Sequence, residues 1–113
     1  MRLFGLVGYP LAHSFSEKYF SEKFIREGIK DCSYRSFPLS SVDLLPELIA
    51  NEHELCGFNV TIPYKVKVLN YLHSLDPVAE AVGAVNTVKL SREKGCVTLR
   101  GFNTDAPAQV RRY

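Results

Sequence analysis

Strand-like and helix-like hydrophobic periods alternate along this chain, and that alternation leaves few architectures open to it. Residues 3–8 are an apolar run of strand length, while Phe15, Tyr19, Phe20, Phe24 and Ile25 recur at helical spacing between Ser14 and Glu27, where Gly28 stops the helix. Residues 32–37 return to strand. Ser40 or Ser41 then caps a helix that turns Val42, Leu45, Leu48 and Ile49 inward, with Pro46 tolerated near its first turn. Residues 55–62 read as a third strand, Pro63 opens a helix reaching about Leu72, and Asp76-Pro77 starts a shorter helix that Gly83 ends. Two last strands, 84–90 and 97–101, join through Glu93-Lys94-Gly95 as a hairpin, and a final helix follows. The order β-α-β-α-β-α-α-β-β-α predicts an α/β fold: a three-layer α/β/α domain with a mainly parallel mixed sheet.

A chain of 113 residues, 46% hydrophobic and 23% charged, suffices for one such domain. Its formal charge of +2 and scattered basic residues exclude a nucleic-acid footprint. Cys32, Cys56 and Cys96 form no C-x-x-C pair and are odd in number, which fits a reducing compartment. His13, His53 and His73 lack ligand-like spacing, so no metal is expected. The N-terminal apolar stretch is too short for a membrane span or a signal peptide. A soluble, cytoplasmic protein is the expectation.

In α/β proteins the chemistry gathers beyond the strand ends, and polar residues collect there in this sequence. Asn59-Val60-Thr61-Ile62-Pro63-Tyr64-Lys65 runs from a strand into the helix that Pro63 is expected to open. Lys65 then falls in a first helical turn, where the dipole disfavours a cation, so its placement calls for a reason other than helix stability. Ser14 and Ser16 bracket the start of the first helix. They suit an anion such as a carboxylate, although Ser14 taken alone reads first as a helix cap. Asn86 follows the short helix in Gly83-Ala84-Val85-Asn86-Thr87, and Asp105 closes Gly101-Phe102-Asn103-Thr104-Asp105, where Asn103 or Thr104 is placed to cap the final helix.

Together with Pro10-Leu11-Ala12-His13-Ser14-Phe15-Ser16, these segments resemble the shikimate dehydrogenase family in its substrate-binding half. The resemblance implies reduction of 3-dehydroshikimate to shikimate with NADP, a step of aromatic amino-acid and chorismate biosynthesis. By motif, Ser14 and Ser16 would hold the substrate carboxylate, and Asn59, Thr61, Asn86 and Asp105 would surround the ring hydroxyls. Lys65 would be the catalytic acid/base with Asp105 as its partner, since an ammonium can stabilise and protonate the oxygen on which charge develops. Two departures stand out: Ala108 and Gln109 follow Asn103-Thr104-Asp105 where the family favours a glycine and an aromatic or aliphatic residue, and Pro77 stands where some members are acidic.

No G-x-G-x-x-G follows a strand, so the NADP site is expected on a second, Rossmann-like domain outside this chain. Residues 1–105 then form the substrate-binding domain and 106–113 the start of a connecting helix. By itself the chain is expected to be inactive, and apolar surface where the second domain docks would let two copies pair as a homodimer. A quinate/shikimate dehydrogenase and a stand-alone binding module for a small hydroxy acid are the competing readings.

Overall fold

Among the described residues, six strands form a single mixed sheet: β1 (Arg2–Gly8), β2 (Cys32–Pro38), β3 (Leu55–Val60), β4 (Ser74–Leu75), β5 (Thr87–Glu93) and β6 (Cys96–Phe102), ordered β2-β1-β3-β5-β6-β4. The structure, a computed structural model, describes residues 2–11 and 15–104, the side chains of residues 15–17 excepted. β1 runs parallel to β2 and β3, while β5 lies antiparallel between β3 and β6. The carboxyl ends of β1, β3 and β6 and the beginning of β5 therefore share one edge of the sheet. The two-residue β4, which the sequence reading lacks, pairs parallel with β6 at the far side.

Among the described residues, three α-helices flank the sheet: α1 (Phe15–Arg26), α2 (Leu45–Asn51) and α3 (Pro77–Val82). Alternation along β1 shows how the two faces differ. Leu3 and Val7 join the core with Leu45 and Ile49 of α2 and Ala79 of α3, whereas Phe4, on the opposite pleat, borders a cavity shared with Phe20 and Phe24 of α1. The sheet is thus covered on both sides, as the predicted three layers require. Among the described residues, no helix is long and apolar enough to cross a membrane.

Local chemistry sets the helix ends. Gly28 takes φ 71° beyond α1, its N–H reaching Ile25 O at 3.2 Å and that of Ile29 reaching Phe24 O at 2.8 Å, a Schellman pair. Ser41, rather than Ser40, is the cap before Val42: its Oγ accepts from Asp43 N at 3.2 Å, and a 3-10 turn over Val42–Leu44 leads into α2. Pro46 lies in the first turn of α2, where the missing N–H costs no bond. The carbonyl end of α2 is met by a cation from another element: Arg92 Nη2 of β5 donates to Glu52 O at 3.0 Å and Leu55 O at 3.3 Å. Asp76 caps α3 through Ala79 N at 2.8 Å, and Gly83, φ 77°, ends it.

One irregularity in β3 positions the site. Leu3 pairs with Leu55, but Phe4 pairs with Gly57, so Cys56 is an extra residue and the register shifts. Leu55 and Phe58, three residues apart, consequently both reach the core. From there Leu6 pairs with Asn59 and Val7 with Val60.

The helix expected to open at Pro63 does not form. β3 ends at Val60, the Ile62-Pro63 peptide bond is cis, and helical structure resumes only as a 3-10 segment over Lys67–Tyr71. Tyr64 decides the path of the chain: its side chain is 4% exposed and its hydroxyl donates to Leu39 O at 2.6 Å, pinning the turn to the core. Lys65 lies in this turn, not in a helix, and the anomaly of a cation at a positive helix end disappears.

Candidate substrate site

Three loops meet at the shared edge, and backbone hydrogen bonds fasten them before any side chain takes part. Thr61 N–H donates to Val7 O at 2.9 Å, and Tyr9 N–H to Ile62 O at 3.2 Å, so the chain leaving β3 lies against the end of β1. Gly8 makes that approach feasible, because a Cβ there would stand 2.5 Å from the Thr61 methyl and 3.0 Å from Ile62 O. Residues 84–86, expected as the start of a strand, instead join the neighbouring loops. Val85 N–H donates to Lys65 O at 2.9 Å, Asn86 N–H donates to Phe102 O at 3.0 Å, and Val60 N–H donates to Asn86 O at 2.8 Å. The strand proper begins at Thr87.

Of the residues the sequence singles out, Asn59, Thr61, Lys65 and Asn86 are brought together here. Asn86 is 8% exposed, and Lys65 is half-buried, with its carbonyl bound by Val85. Ser16 is the second residue of α1, with its side chain outside the description. Ser14 and Asp105 lie outside the described residues.

A single file of side-chain hydrogen bonds crosses the site. Tyr34 Oη donates to Asn59 Oδ1 at 2.9 Å, Asn59 Nδ2 to Thr87 Oγ1 at 3.3 Å, and Thr87 Oγ1 to Asn86 Oδ1 at 3.0 Å. Asn86 Nδ2 then donates to Thr104 Oγ1 at 2.8 Å, and Thr104 N–H returns a bond to Asn86 Oδ1 at 3.1 Å. Cross-strand register makes this contact unavoidable, since Asn59 sits opposite Thr87. Asn103 donates through Nδ2 to Ala84 O at 3.0 Å, tying down the same loop. Asn103 and Thr104, read from sequence as candidate caps, bind the loop that carries Asn86; the final helix expected over 106–113 lies outside the described residues.

Tyr34, absent from the sequence-derived site, is 5% exposed, and its ring stacks on Phe20 of α1 with centroids 4.6 Å apart. Burial pushes its phenol up to about 12, so it remains a neutral donor at any ordinary pH. Thr87 lies within a quoted motif but had no role assigned to it. No local signal marks either residue: an aromatic and a threonine are ordinary strand residues, and the Tyr34–Asn59 bond spans 25 positions.

An apolar cavity of about 570 Å3 lies between α1 and the sheet, bordered by Phe4, Phe20, Phe24 and Tyr34. Among the described residues it meets the loop site only at Asn59 and Thr87, and neither Lys65 nor Asn86 lines it. Geometry and polar chemistry therefore place the candidate site at the sheet edge, with the cavity behind it. Among the described residues no group of three or more His, Cys, Asp or Glu is clustered to hold a metal ion.

Comparison with known proteins agrees with the motif reading. The profile of the shikimate dehydrogenase substrate binding domain matches residues 6–88. A shikimate dehydrogenase (NADP(+)) of Anaeromyxobacter sp. (strain K) is 42% identical over 108 residues, which make up 94% of this chain and 37% of that protein. The chain thus spans little more than a third of that relative. Among solved structures, shikimate dehydrogenase 1 from Peptoclostridium difficile superposes with a TM-score of 0.80 at 36% identity, covering 93% of this chain and 37% of that one. Shikimate 5-dehydrogenase from Listeria monocytogenes, in complex with shikimate and NAD, gives 0.76 at 36% identity, covering 93% and 35%.

Proposed function

The chain belongs to the shikimate dehydrogenase substrate-binding domain family, and from that membership we propose that it is the substrate-binding part of an NADP-linked shikimate dehydrogenase, acting on 3-dehydroshikimate and shikimate. The observation that carries the reading is the convergence of Asn59, Thr61, Lys65 and Asn86 on one sheet edge, with Tyr34, Thr87 and Thr104 locking the two amides.

A hydroxylated ring with one carboxylate matches those groups by type. Ser16, at the start of a twelve-residue helix, and Ser14 before it would bind the carboxylate, assisted by N–H groups at the helix end. Asn59, Thr61, Asn86 and Asp105 would meet the ring hydroxyls. Lys65, held in place through its own carbonyl, would give a proton to the carbonyl oxygen as it becomes a hydroxyl and take it back in reverse. Asp105 would orient that ammonium.

No dinucleotide fingerprint follows a strand here, so no residue of this chain is assigned to the cofactor. Bound by the part of the enzyme that this chain does not span, a nicotinamide dinucleotide would exchange hydride with the ring. The chain's own share is to bind, orient and handle the proton.

Titration with shikimate, followed by backbone amide NMR with quinate and benzoate as controls, tests the reading. Selective shifts at Thr61, Lys65 and Asn86 are expected. A folded spectrum that responds equally to benzoate would count against it. Where a dinucleotide-binding domain is supplied, Lys65→Ala should depress turnover much more than substrate binding; equal losses would assign Lys65 to binding alone.

A further inference from the structure

The file of hydrogen bonds from Tyr34 to Thr104 has a direction, and the direction is not a free choice. An asparagine amide can be turned over, exchanging donor and acceptor, and a hydroxyl can rotate to suit either. A backbone N–H cannot. Thr104 N–H, 3.1 Å from Asn86 Oδ1, therefore fixes that amide with its oxygen toward Thr104 N and its nitrogen toward Thr104 Oγ1. The hydroxyl of Thr87, 3.0 Å from the same oxygen, must then donate to it. With its proton committed, Thr87 Oγ1 can only accept from Asn59, so Nδ2 of Asn59 faces Thr87 and Oδ1 faces Tyr34. The file closes only if the group at its far end is a donor.

We propose that Tyr34 is a positioning residue for the substrate amides. By donating to Asn59 Oδ1 it completes an arrangement in which both amide oxygens are used inside the protein and the remaining N–H groups of Asn59 and Asn86 are left to meet oxygen atoms of a hydroxylated ligand. This rests on the substrate reading given above. It goes further by assigning the site a donor-rich character and tracing it to a side chain on β2 that no motif of the family reading includes. Tyr34 also stacks on Phe20 of α1, the helix that starts beside Ser14 and Ser16. One side chain thus joins α1 to Asn59. Phenylalanine keeps the stack and loses the donor. Burial that holds the phenol neutral keeps it competent to donate.

The test is Tyr34→Phe in the 113-residue chain, with two readouts. The first needs no ligand: the side-chain amide NMR signals of Asn59 and Asn86 should both move well beyond their linewidths, while backbone signals of β5 and β6 distant from the site stay in place. The second is shikimate affinity, expected to fall about tenfold, the worth of one to two hydrogen bonds, with benzoate binding unaltered. Unmoved amide signals in a folded variant overturn the proposal. Should shikimate fail to bind the unaltered chain, the substrate reading falls, and the amide signals still decide whether Tyr34 orders the network. If Tyr34→Phe does not fold, Thr87→Val cuts the same file one step on. It must shift the amide signals of both Asn59 and Asn86, and a shift of only one overturns the proposal.

Discussion

Replacing Gly8 with alanine asks whether two loops of the site are in contact only because one residue lacks a side chain. The added Cβ would lie 2.5 Å from Thr61 Cγ2, 3.0 Å from Ile62 O and 3.3 Å from Leu11 Cδ2. Thr61 can relieve its clash by rotating about χ1, but any such rotation moves its hydroxyl from its present place. Ile62 O has no such freedom, because Tyr9 N–H holds it at 3.2 Å and Thr61 N–H is held by Val7 O at 2.9 Å. Overpacking of this kind costs about 1–3 kcal/mol, and the entropy lost by the unfolded chain returns about 0.4–1 kcal/mol. A net loss of about 1–2 kcal/mol corresponds to a fall of roughly 4–8 °C in Tm for a domain of this size. Shikimate affinity should drop a further five- to tenfold through Thr61. Thermal unfolding by circular dichroism and calorimetric titration measure the two effects. Gly28→Ala is the control: no atom lies within 4 Å of its added Cβ, yet φ 71° makes alanine unfavourable by about 1 kcal/mol, with binding preserved. If Gly8→Ala melts within 2 °C of the parent and binds shikimate equally well, the steric reasoning is wrong.

Other perturbations have definite expected outcomes. Leu45→Ala, at a fully buried position, should lower unfolding free energy by about 2–5 kcal/mol in urea, and a loss below about 1 kcal/mol would show that the core closes over the gap. Lys94 holds φ 51° beside Gly95 at φ 81° in the two-residue β5–β6 turn; Lys94→Asn should raise stability by roughly 0.5–1 kcal/mol, and an unchanged denaturation midpoint contradicts the turn assignment. Tyr34 titrates near 10 when unfolded and near 12 when folded, so its contribution is complete below pH 10 and is lost as pH rises toward about 12. The stability gap between the parent and Tyr34→Phe should therefore narrow over that range by at most about 2–3 kcal/mol, and a constant gap speaks against the burial effect.

What the sequence made legible was whatever a short stretch decides for itself. Gly28 and Gly83 stop their helices, Asp76 caps α3, and Lys94-Gly95 turns the hairpin, because each depends on local backbone preference. The path after β3 was not local. A proline after a strand suits both a helix start and a turn, and the choice was made by Tyr64, whose hydroxyl reaches Leu39 O across 25 positions. β4 escaped notice because two residues carry no period, and its partner β6 comes 26 residues later. His73 lies exposed at the surface, yet its Nδ1 accepts Leu99 N–H at 2.9 Å, a bond to β6 that no local pattern announces. For the site, Asn59, Thr61, Lys65 and Asn86 were recognisable as letters of motifs. The reason two of them are held rigidly, Tyr34, belongs to no motif.

The extra residue in β3 acts as slack between two counts. Going by twos from Leu55, Asn59 would fall on the core side of the sheet, where its amide would have no partner in Tyr34. Because Cys56 is absorbed where the register shifts, the start of the strand keeps step with the core while its end keeps step with Leu6 and Thr87. A relative one residue shorter between Leu55 and Phe58 would still aim its amide correctly, whereas the same gap after Phe58 would slide intact motif letters past their partners. Where a gap falls, more than how long it is, tells whether a relative has kept the site.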